Sequence, residues 1–569
     1  MQARALHLHS YFLFPFAVDK EAVMEDHVKV WEGLGHWIDG VDTWIAQHGT
    51  AIASPVTDRL GRWRRDPYVR FDLESPAYQD MVFFHPFVRR VFFDTKDSAG
   101  EVGENESLVR NYSIPLVGHH EAGRKLMLEA EDSRGRTATV EVTDLRLMVF
   151  ANGIGILSLG VESFGLPMSS ALWINEMMRK VYPSSGRQLR EGRTPSRFTL
   201  FLDGPQGRQV MAEERFERCV MKGFLPPLTS IITSLIYFAN YDQQEYEPVL
   251  DERMIVYSYL AVDPRSVPAG FDQTEAYEIL FSRLLYVDRW GEDYRYDNEF
   301  TREAMRRDVY RRWAHQGTLY GFTFYSNVTM TIGTFDCDEH DLREGFLVHR
   351  MFTTRYYLAL VVALFYRATL LDFSERSALV SRQLFRRHNL ARISPNETLM
   401  AQQLLAEFQH FSNYWYFSEL ANKDEEIEHF KMQCEAFRLE PIEREVEEEI
   451  EKLSGTLERL YMIRSTDAVN RLAVVSILLG AGAMVTGFFG MNFGRQFDRL
   501  LFNPEQNALF HNVAIGFVSL IALGSLAVAG TLIVFNWSDY RTILLPPSRR
   551  HGQPESIRRT PDWAPPGGE

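Results

Sequence analysis

Two long apolar segments lie near the end of the chain, whereas the residues before them alternate between apolar and polar types. The first segment covers residues 472–489, and no charged residue falls between Arg471 and Arg495. The second covers residues 513–535 and contains no charged residue. Each approaches the roughly 20 apolar residues that an α-helix needs to cross a bilayer. The pattern therefore predicts two C-terminal transmembrane helices.

A long amphipathic helix is predicted before the first apolar segment. Beyond Pro441, which breaks a helix or begins a new one, apolar residues recur in steps of three and four and form one stripe. The stripe consists of Ile442, Val446, Ile450, Leu453, Leu457 and Leu460. Because no stop signal precedes Arg471, we expect this helix to continue unbroken into the first apolar segment. At about 1.5 Å per residue, it would extend roughly 70 Å from Ile442 to Phe489.

The N-terminal part contains short strand-like runs and helix-like runs, a pattern that predicts an α/β fold. Residues 11–18 are interpreted as a strand and not a signal peptide, because Pro15 interrupts the run and no cleavage pattern follows. Residues 147–161 contain glycines that predict a hairpin, and residues 276–287 and 299–313 are predicted to be helical. Further strand-like runs are residues 81–84, 90–93, 139–142, 198–202, 254–262 and 319–332, the last as a strand or hairpin.

One further apolar run, residues 356–366, resembles a third span. It is bracketed by Arg355 and Arg367 and has about a dozen residues or fewer, a length that favours a buried core helix. A third span would also place the C-terminal tail on the opposite side of the membrane. We therefore predict a helix of the soluble domain here.

These patterns divide the chain into six segments. Both ends are expected on the cytosolic side, because arginines flank the spans there, although the positive-inside bias is modest. The predicted segments are a cytosolic α/β domain at 1–423, long charged stalk helices at 424–470, transmembrane helix 1 at 471–492, an outer loop at 493–512, transmembrane helix 2 at 513–536 and a cytosolic disordered tail at 537–569.

Composition narrows the class of protein. The 569 residues carry a net charge of −15, which argues against nucleic-acid binding and suits a surface that meets cations, although acidic balance also simply keeps proteins dispersed. The three cysteines lie far apart without a CxxC spacing, so neither a disulfide framework nor a zinc knuckle is indicated. No catalytic triad, phosphate-binding loop or paired-carboxylate signature is found, and we expect no enzymatic activity.

A short motif closes the first predicted span. Gly490, Met491 and Asn492 follow Phe489 at its outer end, and only one more span follows. This arrangement resembles the CorA family of divalent-cation channels, which includes ZntB-like relatives. The resemblance implies a funnel-shaped homopentamer in a plasma or inner membrane, with a cytosolic α/β domain, a long stalk helix and two C-terminal transmembrane helices. It also implies that the first span of each subunit lines the pore and that the motif forms the selectivity filter.

The residues behind the motif share one helical face. They follow steps of three or four from Gly490, and all but one are small: Leu472, Ser476, Gly480, Ala483 and Gly487. Such a face packs against another helix or lines a narrow space; the motif at its end favours pore lining. A ring of Asn492 side-chain oxygens could hydrogen-bond a hydrated magnesium ion, which sheds water reluctantly, and being neutral would let it leave again.

Some positions depart from the family pattern. Phe489 replaces a frequent tyrosine, Gly480 stands where a bulkier residue is common, and the usual proline of the first span is missing, so Leu472 becomes the expected hydrophobic gate. The outer loop is longer than usual, and its acidic residues, Glu505 among them, are offset by arginines. We expect weaker electrostatic attraction at the outer mouth.

Other acidic residues are candidates for cation contact. Glu448, Glu451 and Glu458 extend the pore face below the membrane, where they would form acidic rings at the inner mouth or simply a solvated helix face. A separate cluster includes Asp336, Asp338 and His340, with His349 beyond it. These residue types bind divalent metals, but acidic residues at a loop-to-helix junction are also ordinary caps.

His7 and His9 alternate in the predicted first strand and are interpreted as structural.

The sequence therefore favours a divalent-cation channel gated by its cytosolic domain. Magnesium is the expected ion, both as cargo and as a possible regulator, driven inward by a membrane potential worth about 2.3 kcal/mol per charge at 100 mV. No other cofactor is expected, and the expected partners are the lipid bilayer and further copies of the chain. One alternative is transport of zinc, cobalt or nickel. Another is a ligand-gated signalling effector whose large soluble domain senses a small molecule or partner.

Overall fold

The structure is a computed structural model that describes most of the chain in separate ranges. The described residues are 3–18, 41, 45, 63–69, 82–96, 109–116, 123–180, 186–215, 238–240, 245–246, 249–250, 253–291, 296–333, 347–385, 395–490 and single positions between 512 and 534. They form two compact units. The first contains the described residues of Met1–Ser377 and Leu404–Glu449, and the second those of Ala378–Gln403 and Ile450–Ile557.

The first unit is built on a large sheet. The described strands are β1 Arg4–Ala17, β2 Arg64–Arg65, β3 Tyr68–Val69, β4 Thr95–Lys96, β5 Val109–Ser113, β6 Lys125–Asp132, β7 Thr137–Phe150, β8 Ile154–Pro167, β9 Pro195–Asp203, β10 Gln209–Arg215, β11 Phe238–Asn240, β12 Glu245–Tyr246, β13 Ile255–Val262, β14 Val309–Tyr310, β15 Thr318–Phe322 and β16 Ser326–Ile332. Twelve of them belong to the large sheet, in the order β10-β9-β6-β7-β8-β1-β13-β16-β15-β14, with β5 beside β7 and β2 beside β5. The pairs β3–β4 and β11–β12 form two separate two-stranded sheets.

Helices flank the sheet, and helices also form the described part of the second unit. The described α-helices are α1 Pro86–Phe92, α2 Met168–Met178, α3 Gly186–Arg190, α4 Glu275–Leu285, α5 Asn298–Arg307, α6 Leu347–Thr353, α7 Arg355–Phe385, α8 Pro395–Tyr414, α9 Asp424–Phe437 and α10 Leu439–Gly490. Short 3-10 helices occupy Pro264–Ser266, Phe271–Gln273 and Ala314–Gln316.

Strand β1 lies at the centre of the sheet. It pairs antiparallel with β8 on one side and with β13 on the other, and β13 continues in parallel with β16. Nearly all of its residues are buried, since helices cover both faces of the sheet. A strand buried on both faces carries apolar residues at successive positions without regular alternation. This explains the run that extends from Tyr11 to Ala17.

The two faces of the sheet are covered by different helices. On one face, Ser10 Oγ donates to Asn175 Oδ1 of α2 at 2.7 Å, and α4 packs closely over Gly321. On the other face, Tyr257 donates to the carbonyl of Phe352 in α6 at 2.8 Å. Helices α7 and α9 share that second face, so the unit has three layers, with helices on both sides of a mixed sheet.

Several predicted elements are present. The hairpin predicted at residues 147–161 is confirmed, because β7 ends at Phe150 and β8 begins at Ile154, with Gly153 in the turn at a φ of 100°. The predictions of strands at 139–142, 198–202 and 254–262 are also confirmed. Residues 319–332, predicted as a strand or hairpin, form the hairpin of β15 and β16, and the helix predicted at 276–287 is present up to Leu285. Residues 11–18 continue β1 up to Ala17, and Val18 forms a bridge.

Three predictions of secondary structure were wrong at least in part. Residues 81–84 were predicted as a strand, but residues 82–83 form a turn, Phe84 forms only an isolated bridge with Ala421, and Met81 lies outside the described residues. Residues 90–93 were predicted as a strand, but residues 90–92 end helix α1, which Pro86 begins at its first position, where proline's fixed φ suits a helix. The helix predicted over residues 299–313 ends at Arg307, because the chain turns at Asp308 and enters β14.

The run at residues 356–366 lies in helix α7. Among the described residues, the helical stretch Leu347–Arg382, which joins α6 to most of α7, is the one long and apolar enough to cross a membrane, and 72% of its apolar window is buried inside the protein. Phe365 stacks on Phe150 of the sheet with ring centroids 4.1 Å apart. Arg367 is buried and donates to the carbonyl of Phe324 at 2.6 Å. This burial is what the sequence predicts for a core helix.

A chain turn separates α9 from α10. Arg438 adopts a left-handed conformation with a φ of 56°, and α10 then begins at Leu439, so Pro441 lies in its first turn. Helix α10 continues without interruption for 52 residues to Gly490. The predicted stripe is buried along its first half, at Val446, Ile450, Leu453 and Leu457.

Candidate functional site

The predicted pore face lies on the second half of α10. Leu472, Ser476, Gly480, Ala483 and Gly487 are all exposed, and Leu472 retains 57% of its accessible surface. A Cβ atom added at Gly480 or Gly487 would meet no heavy atom within 4 Å. At Gly480 and Gly487, therefore, none of the described residues covers the small-residue face.

Large apolar side chains around that face are exposed as well. Val469, Ile477 and Leu479 on α10 keep between 56% and 69% of their surface, and Leu520 and Val534 of the second predicted span keep 71% and 75%. The described positions of the second span are all helical. Clusters of exposed apolar side chains mark surfaces that a bilayer or another protein copy covers.

The motif itself is described only at its start. Gly490 is the last residue of α10, and Met491 and Asn492 lie outside the described residues. Glu505, Asp336, Asp338 and His340 also lie outside them. Glu448, Glu451 and Glu458 are described and exposed on α10.

A compact cluster of metal-binding residue types lies inside the first unit. His7, His9, Glu162 and His349 are all buried, and one ligand atom from each lies within 4.8 Å of the others. The period of two along a strand places His7 and His9 on the same face of β1. Antiparallel pairing sets Glu162 of β8 directly opposite His9. Helix α6 covers this face and supplies His349.

The side chains of this cluster are already in contact. His7 Nε2 lies 2.5 Å from Glu162 Oε1, and His9 Nδ1 lies 3.9 Å from the same oxygen. His9 Nδ1 is also 2.8 Å from His349 Nε2. Two ring nitrogens at this distance share one proton, because one must donate while the other accepts. All four residues therefore form one polar group inside the domain.

Aromatic rings form the walls around the cluster. Phe164 stacks on His7 with centroids 4.5 Å apart, and Tyr11 stacks on His9 at 4.8 Å. Tyr259 contacts His349 edge-on at 5.1 Å, and Phe352 lies 5.6 Å from His9. These rings shield the polar atoms from water and strengthen electrostatic interactions among them.

A separate cavity lies beside α6. It has a volume of about 590 Å³ and is lined by residues that include Arg312, Trp313, Tyr320, Met351 and Lys423. Acidic residues at the start of α9 also line it, and Trp313 Nε1 donates to Glu425 there at 2.9 Å. Its volume lies within the range of small-molecule sites, whereas its lining carries more charged residues than most of them.

Comparisons with known proteins found no match. The sequence matches no family model, and no curated protein or solved structure is similar to the chain.

Sequence reasoning interpreted His7 and His9 as structural and did not select Glu162 at all. His349 was noted only as lying beyond an acidic run. The alternation of two histidines was the available signal, but their partners come from positions about 155 and 340 residues away along the chain.

Proposed function

We propose that this protein is a membrane channel for divalent cations, with magnesium as the main ion, and that it works as a homopentamer. The observation that carries the proposal is helix α10. It runs unbroken for 52 residues, carries its small-residue face exposed and ends on Gly490, the first residue of the Gly-Met-Asn motif. A ring formed by one such helix from each subunit would enclose the small-residue face and bring Asn492 side chains together at one end.

Exposed apolar side chains support the placement in a bilayer. Ile477, Leu479 and Leu520 would cost free energy in water, at roughly 25 cal/mol for each Å² of apolar surface. Contact with lipid or with neighbouring subunits removes this cost. The two helices then form the membrane part, and the sheet-containing unit forms the soluble part that gates it.

The chemistry of the proposed filter suits a hydrated ion. Magnesium keeps its waters because it demands near-octahedral oxygen coordination. A ring of neutral amide oxygens hydrogen-bonds that water shell without binding the ion so tightly that it stays. Zinc, cobalt or nickel transport by the same arrangement is the alternative for the cargo.

Magnesium entry into dye-loaded proteoliposomes tests the proposal. We expect entry with the wild-type protein, loss of entry or of ion selectivity with Asn492→Ala, and wild-type behaviour with Asn507→Ala. The last variant is matched because it removes the same amide from the predicted outer loop outside the motif. Cobalt and nickel in place of magnesium identify the preferred cargo.

Absence of entry by the wild type, with the oligomer intact and at any internal magnesium concentration, would overturn the magnesium channel.

The cavity beside α6 favours one second function, a channel opened by a small ligand. Entry that begins only when a small-molecule ligand is added, and that fails with Arg312→Ala at the cavity wall, would establish that function instead.

A further inference from the structure

We propose that His7, His9, Glu162 and His349 together bind one divalent transition-metal ion of the zinc class. This site lies in the sheet-containing unit and does not depend on whether the protein conducts ions. All four residues are at most 5% exposed, and each offers one ligand atom to a common centre. They come from three elements, namely β1, β8 and α6, so the fold itself assembles the site.

The spacing of the ligand atoms is close to that of a zinc site. Zinc–nitrogen and zinc–oxygen bonds of about 2.0–2.2 Å give tetrahedral ligand–ligand distances of roughly 3.3–3.6 Å. The measured separations are 2.5 Å between His7 and Glu162, 2.8 Å between His9 and His349, and 3.9 Å between His9 and Glu162. Side-chain movements of about 1 Å would bring these three separations into the range that zinc requires, and every pair among the four ligand atoms lies within 4.8 Å.

The ligand types select against magnesium. Three imidazole nitrogens and one carboxylate oxygen suit zinc, cobalt and nickel, whereas magnesium and calcium prefer oxygen ligands. Four protein ligands fill a tetrahedral ion and leave no position for a substrate. The aromatic walls exclude water in addition. The site is therefore suited to a structural or regulatory ion and not to a catalytic one.

Protons hold the cluster together when the metal is absent. The His7–Glu162 and His9–His349 contacts are hydrogen bonds whose shared protons a metal ion would displace. His7 Nδ1 has no hydrogen-bond partner among the described residues. Stacking on Phe164 therefore orients this imidazole. Metal-binding histidines usually donate their other ring N–H to a neighbouring residue instead, and loss of that neighbour costs about 10–100-fold in affinity.

Metal binding would tie helix α6 to the centre of the sheet. His349 is the contribution of α6, while the other three ligands belong to strands that pair directly with each other. Met351 of the same short helix lines the neighbouring cavity. The ion would thus fix the cavity wall on the side of the sheet.

Cobalt binding to the full-length, chelator-treated protein tests the proposal. Tetrahedral Co²⁺ has intense visible absorption bands, so it reports geometry as well as binding. We expect one equivalent per chain, competition by Zn²⁺, no competition by excess Mg²⁺, and a Tm that rises with added Zn²⁺. His349→Phe should weaken binding by more than the roughly 10–100-fold that is lost when a residue hydrogen-bonded to a ligand is removed. Glu162→Gln tests a ligand from a strand in the same way.

The matched control is His315→Phe, which makes the same change at an exposed histidine outside the cluster and should bind like the wild type. Near-ultraviolet circular dichroism of the metal-free variants identifies any that fail to fold, and the wild-type result alone still decides the question. A folded wild-type protein with neither tetrahedral cobalt bands nor a zinc-dependent Tm shift would overturn the proposal. Full-strength binding by folded His349→Phe and Glu162→Gln would also overturn it.

Discussion

Two buried titratable groups in the sheet-containing unit should make its stability respond to pH in opposite directions. The first is His429 of α9, which is enclosed by the rings of Tyr310, Tyr320, Phe322 and Tyr356. Burial lowers the pKa of His429 from 6.5 to about 3. Between about pH 3 and pH 6.5, the imidazole of His429 therefore binds a proton in the unfolded chain but not in the folded one. The stability from this residue is complete above pH 6.5 and is lost as the pH falls towards 3.

The second group is Asp288, whose carboxyl group accepts a hydrogen bond from the hydroxyl of Tyr296. Burial, and then the nearby carboxylate of Glu176, raise the pKa of Asp288 from 3.8 to about 7. Here the folded chain binds the extra proton. Its contribution is complete below about pH 4 and is lost as the pH rises through 7, which is the reverse of the effect of His429.

The two effects are similar in size between pH 7 and pH 5. Going down through this window, the shift of His429 costs about 2 kcal/mol of unfolding free energy, and that of Asp288 contributes about 2 kcal/mol. They therefore nearly cancel in the wild type. If one group is removed, only the pH effect of the other remains. On acidification, His429→Leu should therefore gain stability relative to the wild type, and Asp288→Asn should lose stability relative to it.

Urea unfolding of the purified full-length protein, followed by tryptophan fluorescence at pH 7 and pH 5, measures this divergence. Each variant is compared with the wild type at the same pH, so the titration of all other groups cancels. We expect the two variants to separate by about 4 kcal/mol between the two pH values. Parallel pH profiles, within about 0.5 kcal/mol, would show that burial does not perturb these groups as argued.

Two further predictions concern packing in the same unit and use the same unfolding assay. Asn175→Ala removes the amide that accepts from Ser10 at 2.7 Å and donates to Ser258 at 2.9 Å, and should cost about 2–4 kcal/mol; a cost below about 0.5 kcal/mol would contradict it. Gly321→Ala would place a Cβ 2.6 Å from a leucine methyl of α4 and should cost about 1–3 kcal/mol, whereas Gly291→Ala, with open space around it, should change little; equal costs would refute this.

Local pattern predicted those parts of the fold that depend on neighbouring residues. The hairpin of β7 and β8 follows from two apolar runs around Gly153, and α10 follows from a stripe in steps of three and four that no breaker interrupts. Residues 90–93 failed for the same local reason in reverse. Their apolar and β-branched residues favour a strand, but Pro86 begins a helix four residues earlier, and that helix continues to Phe92.

The same reasoning could not predict which residues distant in sequence lie next to each other in the fold. No pattern near His9 shows that Glu162 will lie opposite it, since the register of β1 with β8 is set over many residues by burial of both faces. Nor does it show that the short helix α6 will deliver His349 to the same point. The Gly-Met-Asn motif is the opposite case, because its three residues are adjacent in sequence and need no tertiary structure to be noticed, while the pore role that they predict stays a prediction.

The two proposed metal sites require different ions, and this difference separates their tests. A filter of amide oxygens at Asn492 suits hydrated magnesium, whereas a buried set of three imidazoles and a carboxylate suits zinc. Magnesium cannot substitute at the histidine cluster, and a chelator that removes zinc there leaves excess magnesium available to the pore. Magnesium entry that changes when zinc is stripped, and that no longer responds to stripping in His349→Phe, would therefore mean that the cluster regulates the pore. Entry indifferent to zinc would assign the ion to stabilising the position of α6 alone.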